Sequence, residues 1–118
     1  MKANELRIGN YIQVKGEKYN SQIMWILPRE VGLDNSVDEI FISDLEPIPL
    51  TEEWLIRFGF EVKSASVTHK YSYNIGFFVL SNGLRSNISY DGYEIKYVHQ
   101  LQNLYFALTG NELNETIH

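Results

Sequence analysis

The only side chains that titrate near neutrality are three histidines, His69, His99 and His118. A metal site or a general base would need a second histidine or a carboxylate at ligand spacing, and no His-Glu-x-x-His run or comparable cluster occurs. Acids are paired at Asp38–Glu39 and Glu52–Glu53. The first pair stands beside a strand and the second opens a helix, so neither suits the two-carboxylate chemistry of glycoside hydrolysis. A Gly-x-Ser-x-Gly elbow, a phosphate loop and a dinucleotide fingerprint are all missing. The absence of cysteine removes thiolate nucleophiles and zinc–thiolate sites together. The expectation is a protein that is not an enzyme, with no catalytic residue, no metal and no cofactor.

Binding chemistry has more to work with. From Lys96 to Glu112 no charged side chain intervenes, and the polar positions hold His99, Gln100, Gln102 and Asn103. At about 100° per residue, Val98, Leu101, Leu104, Tyr105 and Leu108 share one arc of a helix, while Phe106 lies on another flank beside His99 and Gln102. Amides tolerate partial burial where a lysine or glutamate would need a partner. The segment is therefore expected to touch two surfaces, the second being either the N-terminal strands or another chain. His99, Gln102, Asn103 and Phe106, together with Phe78 and Leu80, form the candidate interaction surface, and they predict a homodimer or a protein partner. The alternative is nucleic-acid binding through the N-terminal strands, with Lys2, Arg7, Lys15 and Lys18 as contacts. Tyrosines at 71, 73, 90, 93, 97 and 105 could stack bases, but the register below turns most of them inward.

These residues have to be positioned by short elements. Strand-like runs at 10–14, 22–27 and 37–42, separated by turns at Gly16 and Asp34–Ser36, predict a small curled antiparallel sheet. Pro47 and Pro49 stiffen the joint at 44–50. Thr51 as N-cap, Glu52 and Glu53 in the first turn, a Leu50–Leu55 staple and Gly59 as left-handed stop predict a short helix in the stretch 50–60, with Phe60 folding back on Leu55. Asn82-Gly83 and Asp91-Gly92 then read as two-residue hairpin turns. They pair Ser81 with Leu84, Val79 with Ser86, Phe77 with Ile88, Tyr90 with Tyr93 and Ile88 with Ile95, giving a three-stranded meander. One face collects Tyr73, Ile75, Phe77, Val79, Leu84, Ile88, Tyr90, Tyr93, Ile95 and Tyr97, and Phe78 and Leu80 are apolar exceptions on the other. A C-terminal helix from Val98 to a stop at Gly110 is expected to cover the apolar face.

The predicted fold is thus α+β: a strand-rich N-terminal module, residues 1–46, and a helix–meander–helix module, residues 47–118, sharing a core. A chain of 118 residues that is 44% hydrophobic is ample for such a core. Net charge is −5, and the first 50 residues hold 5 basic and 8 acidic side chains, so no basic half opposes the excess that disfavours phosphate backbones. Without an apolar leader or a span-length apolar window, the expected location is cytoplasmic and the expected partners include no membrane.

Three blocks, "MKANELRIGNYI", "PIPLTEEWLIRFGF" and "IKYVHQLQNLYFALTGNEL", resemble a family of small uncharacterised proteins of gut Bacteroides-type bacteria, found in phage-like and mobile-element settings. The resemblance spans nearly the whole chain. It implies a bacterial cytoplasmic or phage-derived accessory protein and carries over no catalytic residue.

Overall fold

A computed structural model describes residues 1–65, 70–82 and 87–116. It has the mixed α+β character expected, with two antiparallel sheets of five strands each and two α-helices among the described residues. The chain divides into two units, residues 1–49 with 97–112, and residues 50–96 with 113–118.

In the first unit a 3-10 turn at Ala3–Glu5 leads into β1 (Tyr11–Val14), β2 (Ser21–Ile26), β3 (Glu30–Leu33), β4 (Ile40–Phe41) and β5 (Leu45–Glu46). The order across the sheet is β4-β3-β2-β1-β5. Both edge strands thus come from one stretch of chain, parted only by the 3-10 turn Ile42–Asp44. Three residues at about 2 Å rise each span roughly 6 Å, so the edges lie close and the sheet must curl almost upon itself. Leu6, Ile12, Ile23, Val31, Leu33, Ile42 and Leu45 fill the curl. The Pro28–Arg29 turn joins β2 to β3, closed by Leu27 N–H donating to Glu30 O at 2.8 Å.

Helix α2 (Val98–Thr109) completes this unit. Its limits agree with the sequence: Gln100 Oε1 accepts the Tyr97 N–H at 3.2 Å at one end, and Gly110 stops it at φ 75° at the other. Its packing does not. The helix expected on the apolar face of the meander lies instead beside β1, with Val98, His99, Leu101 and Gln102 as its buried residues, while Leu108, assigned to the buried arc, is exposed. Spacing gave the width of an apolar arc; the side chains that decided its partner are the polar ones described below.

The second unit opens with α1 (Glu52–Arg57). Thr51 Oγ1 accepts the Trp54 N–H at 3.4 Å, and Gly59 sits at φ 93°. Phe60 N–H reaches Leu55 O and Gly59 N–H reaches Ile56 O, each at 3.0 Å, which is the Schellman pair anticipated from the sequence. Strands β6 (Glu61–Ala65), β7 (Lys70–Ile75), β8 (Phe78–Asn82), β9 (Ile88–Tyr90) and β10 (Tyr93–Glu94) follow as a sheet in the order β10-β9-β8-β7-β6. The Asp91–Gly92 turn pairs Tyr90 with Tyr93 as predicted, both turn residues having positive φ.

The other predicted turn is corrected. Asn82 lies within β8, opposite Ile88 and Tyr71, and Ser81 pairs with Ser89, not Leu84. The tight hairpin is at Gly76–Phe77, pairing Ile75 with Phe78. A two-residue turn at that point reverses the parity of β8, while Ile88 and Ile95 beyond it stay buried as expected. Phe78 and Leu80 therefore face inward, at 6% and 0% exposure, while Phe77 and Val79 face out. Tyr93, also assigned to the covered face, is exposed. The meander of three strands becomes five, because 61–65 and 70–75 also pair. Pairings assigned to Leu84 and Ser86 lie outside the described residues.

Candidate functional site

The α2 flank read as a docking surface is occupied within its own unit. Gln102, 2% exposed, accepts the Tyr11 backbone N–H through Oε1 at 2.9 Å and donates Nε2 to Gly9 O at 3.0 Å. Asn103 accepts from Asn10 Nδ2 at 2.9 Å and donates to Glu5 O at 2.8 Å. These bonds satisfy backbone groups ahead of and within β1 that would otherwise be costly to bury. Phe106 lies under the Arg7 guanidinium, 3.7 Å from the ring centroid, and Arg7 is held by Glu112 at 2.7 Å. Of the two surfaces foreseen for this flank, the N-terminal strands supply the one observed.

His99 is 3% exposed, stacks near Tyr97, and keeps Nδ1 buried without a hydrogen-bond partner among the described residues. Burial pushes its pKa below the usual histidine value, the Glu5 carboxylate opposing and the Met1 amino group adding to the shift. The ring is thus neutral at neutral pH. Among the described residues, no three His, Cys, Asp or Glu side chains group in a way that could hold a metal ion. No helix there is long and apolar enough to cross a membrane.

One polar network stands out in the second unit, and nothing in the linear order of residues announces it. Tyr73, fully buried, donates its hydroxyl to Glu52 Oε2 at 3.0 Å and accepts from Asn82 Nδ2 at 2.9 Å, while Asn82 Oδ1 takes the Tyr71 N–H at 3.1 Å. Burial first, then the Glu52 hydrogen bond and charge, with a smaller push from Tyr71, raise the Tyr73 pKa to about 12. The three residues line a cavity of about 300 Å³ with Leu50, Thr51 and Ile88. A phenol so hard to ionise is a hydrogen-bond donor rather than a base, and every member already has a partner. Each was legible alone, as a helix-opening acid, a core aromatic and a turn residue. Only the corrected β8 register brings them together.

The surface with open valences is on the first unit. Cross-strand register sets Trp25 opposite Gly32 and Phe41 opposite Glu30, and Leu27 reaches Glu30 through its backbone. Trp25, Leu27 and Phe41 therefore share the outer face of β2, β3 and β4, with Glu30 between Leu27 and Phe41, at 38%, 52% and 56% exposure. Gly32 is required there, since a Cβ would fall within 2.0 Å of the Trp25 indole nitrogen. At the edge of this face lies a cavity of about 520 Å³ lined by Met1, Lys2, Ala3, Pro28, Arg29, Phe41, Ile42 and Ser43.

Of the cations read as nucleic-acid contacts, only Lys2 lines that cavity. Arg7 is committed to Glu112 and Phe106, and Lys15 and Lys18 stand exposed on the β1–β2 connection. Arg29, outside the candidates drawn from the sequence, joins Lys2. Its position before Glu30 in a proline turn was the available signal.

Searches against protein-family models, curated proteins and solved structures found no match for this chain.

Proposed function

We propose that the protein is a non-enzymatic protein-binding module, an accessory factor of phage or mobile-element origin, that engages its partner through the outer face of β2, β3 and β4. The observation that carries this reading is the exposure of Trp25, Leu27 and Phe41 on one face of the sheet. Single exposed apolar residues are ordinary, but two aromatics and a leucine on one face of a three-strand stretch, with β3 between the aromatics, bring together the side chains that anchor protein contacts. The resemblance of the terminal and central sequence blocks supports the phage or mobile-element setting. Tight hydrogen bonding of the Glu52–Tyr73–Asn82 network and the neutral, enclosed His99 favour binding over catalysis.

The test compares wild type with a Leu27→Ser/Phe41→Ser double variant in affinity capture from the native host and in sedimentation velocity over a wide concentration range. Loss of a specific partner, or of self-association, in the folded double variant supports this face as the interface. A partner retained equally by both proteins places the contact elsewhere.

A further inference from the structure

We infer that the cavity beside this face takes a carboxylate of the partner, so that the bound segment is an acidic peptide with an apolar residue next to its Asp or Glu. This deepens the binding reading above and rests on it. The first unit, residues 1–49 and 97–112, holds 5 basic and 9 acidic side chains, 5 − 9 = −4. None of those nine acids lines the cavity, whereas two of the five cations, Lys2 and Arg29, do. Neither cation has an ion-pair or side-chain hydrogen-bond partner among the described residues, in a unit where Arg7 does. Convergence of unpaired like charges is unfavourable unless an anion completes it.

The rest of the lining defines what accompanies the anion. Met1, Ala3, Pro28, Phe41 and Ile42 are apolar, and Ser43 supplies a hydroxyl. Phe41 belongs both to the cavity and to the exposed face, so a ligand seated between Lys2 and Arg29 meets Phe41 first and reaches Leu27 and Trp25 only across β3, past Glu30. A volume of about 520 Å³ falls within the range of sites that enclose a compact ligand group. A phosphate backbone fits less well. It needs a track of cations, and the unit's net charge of −4 opposes a polyanion while tolerating one carboxylate at a local positive site.

The experiment is selection from a displayed library of random dodecapeptides by wild type and by a Lys2→Glu/Arg29→Glu variant, with circular dichroism to confirm that the variant folds. A Lys2→Gln/Arg29→Gln variant serves as a milder second test. Wild type is expected to enrich peptides bearing Asp or Glu beside an apolar residue. Charge reversal should weaken those peptides roughly tenfold or more and shift enrichment towards Lys or Arg. Enrichment of apolar peptides without acids, unchanged by charge reversal, overturns the carboxylate site while leaving the apolar face standing. No enrichment by either protein removes both. Displacement of a selected peptide by a single-stranded oligonucleotide at physiological salt assigns the cavity to phosphate and overturns the peptide assignment.

Discussion

The polar flank of α2 and the outer face of β2–β4 have exchanged the roles that their side chains suggest. The flank carries His99, Gln102 and Asn103, yet His99 and Gln102 are buried, while the face carries Trp25, Leu27 and Phe41 in contact with solvent. Polarity alone does not sort inside from outside. A carboxamide can sit in a core when it replaces the water on a backbone amide, as Gln102 does at Tyr11. A tryptophan can stay on a surface when the strands beneath it are too short and curled to bury both faces. The flank should therefore answer to stability measurements and the face to binding measurements.

The largest effect is expected at Gln102. Gln102→Ala leaves the Tyr11 N–H buried and unmet and opens a void, and should cost about 3 kcal/mol in denaturant unfolding. The two tryptophans allow the units to be followed separately, because Trp25 is in one and Trp54 in the other. With Trp54→Phe in the background the loss should appear in the Trp25 signal. An effect below about 0.5 kcal/mol would return the flank to the surface.

Alkali probes the second unit instead. The folded-state pKa of Tyr73 is raised from 10.0 to about 12, so its stabilisation is complete below pH 10 and is lost as pH climbs towards 12. Tyr73→Phe should flatten that part of the stability profile, and an unchanged slope would assign the alkaline limb to other groups. Thr51→Ala comes next, at about 1 kcal/mol for a lost N-cap, read by Trp54 fluorescence.

Acid tests the flank again. His99 has a depressed pKa, so its contribution is present above the unfolded value of 6.5 and is lost as pH falls below it. His99→Leu should remove that slope, and a slope that persists assigns the acid limb to other groups. The smallest effect on stability belongs to the face. Phe41→Ser should change unfolding free energy by no more than about 0.5 kcal/mol while weakening partner binding. A cost of several kcal/mol would mean that Phe41 is a core residue and would dissolve the contrast.

Local signals held at the helix ends and at one hairpin, whereas the strand expected over 37–42 is reduced to Ile40–Phe41. The α1 limits followed from Thr51, Gly59 and Phe60, the α2 limits from Val98 and Gly110, and one hairpin from Asp91–Gly92, because each depends on a few adjacent residues. Legibility ended where a choice depended on distant partners. Asn82–Gly83 is the stronger turn signal, yet Asn82 belongs to β8, where it holds Tyr73 and Tyr71, and a further turn at Gly76–Phe77 sets the register of β8. The partner of α2 was hidden for the same reason. Gln102 and Tyr11 are 91 positions apart, and no periodicity along the helix reports which strand will need an acceptor. The outer apolar face was hidden in part by the β-bulge between Ile23 and Trp25, since unbroken alternation from the buried Ile23 would place Trp25 inward.

The docking of α2 on β1 is most directly tested by a nitrogen-15-edited nuclear Overhauser spectrum of the full chain. It should show cross-peaks from the Gln102 side chain to the Tyr11 amide proton, and from the Asn103 carboxamide to Asn10. Cross-peaks joining α2 to residues 88–95, with none to Tyr11, would contradict it.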